Sequence, residues 1–156
     1  MTLSTLEQTH VGIGTAAVAD VFAGTTNSDV FSMENYAMTT FYVHWGVGTT
    51  GTITFTVESC DDFTPTTATA VAFQYKRVTS PDTQVALVEA AAAGFTTTAG
   101  SNQIYVIEVA SQQLVSGDVG VRLHGVESAN DPVLGGILVV QSQPRFAHDV
   151  TVVSTS

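Results

Sequence analysis

Residues 52–59, TITFTVES, alternate without a break, with Ile53, Phe55 and Val57 set against Thr52, Thr54, Thr56 and Glu58. A period of two places every apolar side chain on one face, the pattern of an antiparallel strand with one buried side and one wet side. A helix would scatter the same residues around its cylinder. The preceding stretch, residues 37–47 (AMTTFYVHWGV), carries a comparable set in Phe41, Val43 and Trp45. Gly46, Gly48 and Gly51 with Thr49 and Thr50 make a turn between the two, so the pair reads as a hairpin. A one-residue slip of register would expose the whole set. Phe41, Val43, Trp45, Ile53, Phe55 and Val57 are therefore expected inside, joined by Phe73 and Tyr75 from the next strand.

Further strands follow at similar spacing: residues 30–33, 71–78 (VAFQYKRV, with Val71, Phe73 and Tyr75 on one face), 104–110, 119–126 and 137–142. Turn signals separate them at CDDFTPTTAT, Pro81-Asp82, Ser116-Gly117-Asp118 and Asn130-Asp131-Pro132. Residues 85–95, VALVEAAAAGF, hold a run of four alanines that suits a helix closed by Gly94. Seven short strands of this kind describe a sandwich or a barrel. The expected fold is an all-β, antiparallel β-sandwich, jelly-roll-like, with one short helical insertion.

Residues 1–28 match neither period. A short helix near residues 16–22 and an extended arm with isolated apolar anchors fit equally well; the anchors are Val11, Ile13, Val18, Val21 and Phe22. The expected organisation is an N-terminal arm (1–28), a sandwich domain (29–146) and a polar C-terminal tail (147–156). In that reading the anchors lie across a neighbouring subunit, and deletion of residues 1–22 leaves the sandwich folded.

Composition narrows the function. Only 12% of the 156 residues are charged, against about a quarter in an ordinary soluble domain. The net charge is −10, from 14 acidic and 4 basic residues, and all four bases lie beyond residue 75. Contact with a nucleic-acid backbone or an anionic membrane calls for clustered Lys and Arg, so neither is an expected partner. No stretch approaches 18 apolar residues, and the segment MTLSTLEQTHVGIG has neither the positive start nor the apolar run of a signal peptide. A cytosolic origin is expected.

Chemistry is harder to place. Cys60 is the single cysteine, so neither an intrachain disulfide nor a thiolate zinc cluster is expected, and its setting at a strand end suggests an inert, partly buried thiol. His10, His44, His124 and His148 are not spaced as metal pairs on a strand or a helix. Asp61-Asp62 is the best metal candidate, since adjacent loop carboxylates can contribute to a calcium site. The D-x-[DN]-x-[DN]-G loop is absent, however, and an Asp-rich turn that caps a strand end is the commoner outcome. No nucleophile elbow, P-loop or dinucleotide fingerprint is present. No enzyme activity, cofactor or metal is expected.

The strand segments ENYAMTTFYVHWGVGTTGTITFTVESCDD, AVAFQYKRV, GFTTTAGSNQIYVIEV and GDVGVRLHGVESANDPVLGGILVVQSQPR together resemble small virion proteins of tailed bacteriophages. The resemblance spans roughly residues 29–146. It implies a β-sandwich accessory protein of the particle, a capsid cement or decoration protein that binds the major capsid protein, assembles as a homotrimer and resides in the virion. It supplies no catalytic residues. A head–tail connector or tail component, and a carbohydrate- or receptor-binding module, are the alternatives.

Overall fold

The computed structural model describes residues 5–81 and 83–145; the expected C-terminal tail (147–156) lies outside the described residues. The chain opens with α1 (Thr5–Gln8), β1 (His10–Val18), β2 (Thr25–Asn27) and β3 (Phe31–Ser32). It continues through β4 (Tyr36–Trp45), β5 (Thr52–Cys60), β6 (Ala68–Val71), β7 (Phe73–Ser80), β8 (Thr83–Gln84), β9 (Val88–Ala90) and β10 (Phe95–Thr96). The last strands are β11 (Gln103–Ala110), β12 (Gly120–Ala129) and β13 (Gly135–Pro144), with one 3₁₀ turn at Ser111–Gln113.

These strands form two antiparallel sheets. One has seven strands in the order β1-β13-β4-β11-β7-β8, with β9 also on β7; the other has six in the order β10-β5-β12-β2, with β6 on β5 and β3 on β12. Strands β2 and β3 share one side of β12, and β6 and β10 share one side of β5. Counting each such pair as one position and leaving out the β7–β9 extension, the strands in chain order fall 1-8-3-6 in one sheet and 2-7-4-5 in the other. That is the connectivity of a jelly roll, two Greek keys folded face to face. Strands β7, β8 and β9 widen the first sheet beyond β11.

The core lies between the sheets. Phe41, Val43, Trp45, Ile53, Phe55, Val57 and Phe73 are at most 1% exposed, as the alternation predicts, and Tyr75 is partly buried against them. Trp45 stacks on Phe22 with ring centroids 4.8 Å apart, and its indole N–H donates to the Gly100 carbonyl at 3.0 Å. Phe95 stacks on Tyr75 at 3.7 Å. The Tyr105 hydroxyl donates to Gln103 Oε1 and accepts from the Thr98 N–H, both at 2.8 Å, so this buried ring carries no unmet polar group.

Four expectations need correction. Strands β4 and β5 do not form a hairpin: they belong to different sheets, and residues 46–51 arch over the end of the core. Their apolar sets face the same interior from opposite sides, a difference that alternation alone does not register. The glycines in the arch serve close packing, since a Cβ at Gly46 would lie 2.7 Å from the Leu134 carbonyl and one at Gly51 would lie 2.3 Å from the Asp131 carbonyl. Residues 71–78 are likewise not one strand; the chain changes sheets at Ala72, so Val71 and Phe73 enter the core from opposite sheets.

The helical insertion is absent. Residues 88–90 form β9 on β7, with Ala90 opposite Phe73. A turn follows in which the Gly94 N–H donates to the Ala91 carbonyl at 2.9 Å. Gly94 has φ +78°, and a Cβ there would sit 1.9 Å from the Phe55 carbonyl. Helix preference in four alanines amounts to tenths of a kcal/mol per residue, and ladder bonds plus burial of Ala90 outweigh it. Finally, residues 10–28 belong to the sandwich. β1 pairs with β13 over six register positions, and Phe22, 3% exposed, fills the core above Trp45. Without β1, β13 would be left as a sheet edge.

Candidate interaction surface

Residues directly opposite in an antiparallel ladder share a face of the sheet. The register of the seven-stranded sheet therefore reads off its outer surface row by row. The first row crosses Ile13, Leu138, Tyr42, Val106 and Lys76. A second crosses Val11, Val140, Thr40, Glu108 and Gln74, and a third crosses Gly136, His44, Ile104 and Val78. Eight of these positions are aliphatic or aromatic. Ile13 is 70% exposed, Val11 53%, Leu138 45%, and Tyr42 and Ile104 each 37%. Lys76 and Glu108 are the two formal charges in these rows, with Glu89 of β9 beyond Gln74 at the margin, and the Glu108 carboxylate is reached by the Thr40 hydroxyl at 3.3 Å.

The outer surface of the six-stranded sheet is built differently. Its rows cross Glu58 and Arg122, then Thr56, His124 and Asn27, then Thr96, Thr54, Val126 and Thr25. Arg122 and Glu58 form an ion pair at 2.7 Å, His124 Nδ1 lies 2.6 Å from Asn27 Oδ1, and the Thr54 and Thr96 hydroxyls are hydrogen-bonded at 2.8 Å. Polar side chains that pair with one another and face water make an ordinary solvated face. One sandwich thus presents two unlike outer surfaces, a threonine-rich wet one and a bare apolar one. Scattered apolar residues on a surface need no explanation, whereas a contiguous patch marks a contact surface.

The five expected anchor residues divide. Val11 and Ile13 stand on the apolar face, contributed by the edge strand β1. Val18 is exposed at the far end of β1, opposite Gly135. Val21 is partly buried against the core and Phe22 lies within it. Sequence reasoning missed Tyr42, Ile104, Val106, Leu138 and Val140. Their signal is present in IYVI and ILVV, which are apolar at odd and even positions alike and so cannot leave a polar outer face.

The other candidates serve the fold. Asp61 accepts from the Thr66 hydroxyl at 2.8 Å and the Thr67 N–H at 3.1 Å. The Thr67 N–H, then that hydroxyl, hold its carboxyl below the usual range. Asp62 accepts from the Phe63 N–H at 2.6 Å. Both close the β5–β6 loop, the strand-capping role weighed against a cation site. Asp131 clips the β4–β5 arch to the β12–β13 connection: it accepts from the Thr49 hydroxyl and from the N–H groups of Thr49 (3.2 Å) and Thr50 (2.9 Å). The Thr49 hydroxyl first, then the Thr50 N–H, bring its pKa down to about 2. Cys60 is fully buried, and burial pushes its thiol up to about 11. Among the described residues no group of three or more His, Cys, Asp or Glu side chains could hold a metal ion. A shallow cleft at one end of the sandwich gathers Met33, Glu34, Phe63, Leu114 and Arg145 beside Asp118, whose carboxylate accepts from Ser59 Oγ at 2.5 Å.

No protein-family model, curated protein or solved structure matches this chain.

Proposed function

We propose that this chain is a non-enzymatic structural protein of a tailed-phage virion, a cement or decoration protein that self-associates, binds the major capsid protein and stabilises the head. One observation carries the reading: the outer surface of the seven-stranded sheet is a continuous, nearly uncharged apolar surface. Such a surface suits lasting protein contact, because the centres of protein interfaces are depleted of Lys, Glu and Asp. The strand segments that resemble phage virion proteins give the contact its setting. The sandwich supplies a rigid body, and clamping capsomers against internal pressure calls for area and rigidity, with no bond-making. Scarcity of Lys and Arg fits a surface role away from the packaged genome.

The test uses the particle and purified protein. Added to heads that lack it, the protein is expected to bind in hundreds of copies and to raise the temperature at which they release DNA. Six or twelve copies in a cryo-EM reconstruction would make it a connector or tail component, and absence from the particle would overturn the reading.

A further inference from the structure

Resting on that reading, we infer that the occupant of the apolar sheet face is a further copy of this chain: copies meet through the outer surface of the seven-stranded sheet, and capsid protein is bound elsewhere. Size is the first argument. The strands β1, β13, β4, β11 and β7 are 8–10 residues long. At about 3.4 Å per residue and about 4.8 Å between strands, they present roughly 700 Å² of projected area. A stable specific interface takes about 800 Å² from each partner, so the face matches one full contact.

Charge placement is the second argument. Each chain carries −10, so two copies repel wherever their acidic surfaces approach. Among the described residues, most acids lie on loops, on α1 and on the six-stranded sheet; Glu108 is the single one within the five-strand outer rows, with Lys76 in the neighbouring row, and Glu89 on β9 stands beyond Gln74 at the margin of the face. Identical copies can therefore approach closely through this surface at least cost. Edge placement is the third. β1 adds Ile13 and Val11 to the face, so the contact extends to the rim of the sheet.

The experiment compares wild type with Leu138→Asp, Ile13→Asp and Thr54→Asp by size-exclusion chromatography with light scattering, with circular dichroism as the check on folding. Thr54→Asp adds the same charge to the outer face of the other sheet. Wild type and Thr54→Asp are expected as oligomers, and Leu138→Asp and Ile13→Asp as folded monomers. Ile13, the more exposed of the two, keeps the test open if Leu138→Asp fails to fold. A monomeric wild type, or face variants that stay oligomeric, would overturn the inference. Binding to heads is read separately. Face variants that remain oligomeric yet leave the head would assign the surface to the capsid, sinking this inference and sparing the proposed function. A wild type that oligomerises through the face yet never binds heads would do the reverse.

Discussion

Phe22 offers the sharpest test of how the N-terminal segment is used. Its ring stacks on Trp45 at 4.8 Å and meets Phe55 edge-on at 6.0 Å, and the side chain is 3% exposed. Phe22→Ala removes the buried ring and leaves a cavity that two large neighbours cannot fill without leaving their own contacts. Phe-to-Ala changes in cores cost about 3–5 kcal/mol, which already includes the loss of aromatic pairing. For a domain of this size each kcal/mol lowers the midpoint by roughly 2–4 °C, so the expected drop is about 6–20 °C. Val18→Ala, exposed at the far end of β1 and outside the apolar rows, is expected to move the melting temperature by no more than about 2 °C, as surface changes stay within about 0.5 kcal/mol. Thermal melts by circular dichroism at one fixed protein concentration keep any contribution of assembly constant. Equal midpoints for wild type and Phe22→Ala would refute the placement of this segment in the core. Deletion of residues 1–22 removes β1 and Phe22 together, and it is expected to destabilise the sandwich rather than simply trim an arm.

Two further outcomes follow from the titrating groups. Asp131 has a folded pKa of about 2 against an ordinary 3.8, so its contribution is present above pH 3.8 and lost as the pH falls toward 2. Wild type should lose thermal stability over that window, and Asp131→Asn should lose less; identical pH profiles would remove Asp131 from the account. Cys60, with its thiol raised to about 11, should resist iodoacetamide at pH 8 in the native protein and react promptly in denaturant. Labelling of the native chain at the rate of a free thiol would show that the site is open.

Class and core were legible in the sequence because both depend on local pattern. The alternation in residues 52–59 fixes which side chains face inward whatever strand lies alongside, and the side chains it named are buried. Partners were not legible. β4 and β5 carry hairpin-like patterns on either side of a glycine-rich turn, yet the fold sends them to opposite sheets. What decides this is the approach of the arch to Leu134 and to Asp131, more than eighty residues away in sequence. The alanine run at 90–93 fails for a related reason. Its helix preference is local and weak, while β9 gains its hydrogen bonds from β7, a partner that propensity does not take into account.

The contact surface was legible in another sense, through a contrast that only comparison between strands brings out. β5 alternates strictly, so one of its faces must be wet, and the structure gives it one. β11 and β13 read IYVI and ILVV, apolar on both parities, in a sandwich whose seven-stranded sheet has no third layer over its outer face among the described residues. Runs of that kind belong to sheets buried on both sides. In a free-standing two-layer domain the seven-stranded sheet leaves Leu138, Ile104 and Tyr42 uncovered. The sequence pattern is therefore that of a three-layer structure, and the described residues supply two of the layers. If copies meet as inferred above, identical subunits joined at this surface would supply that cover for one another.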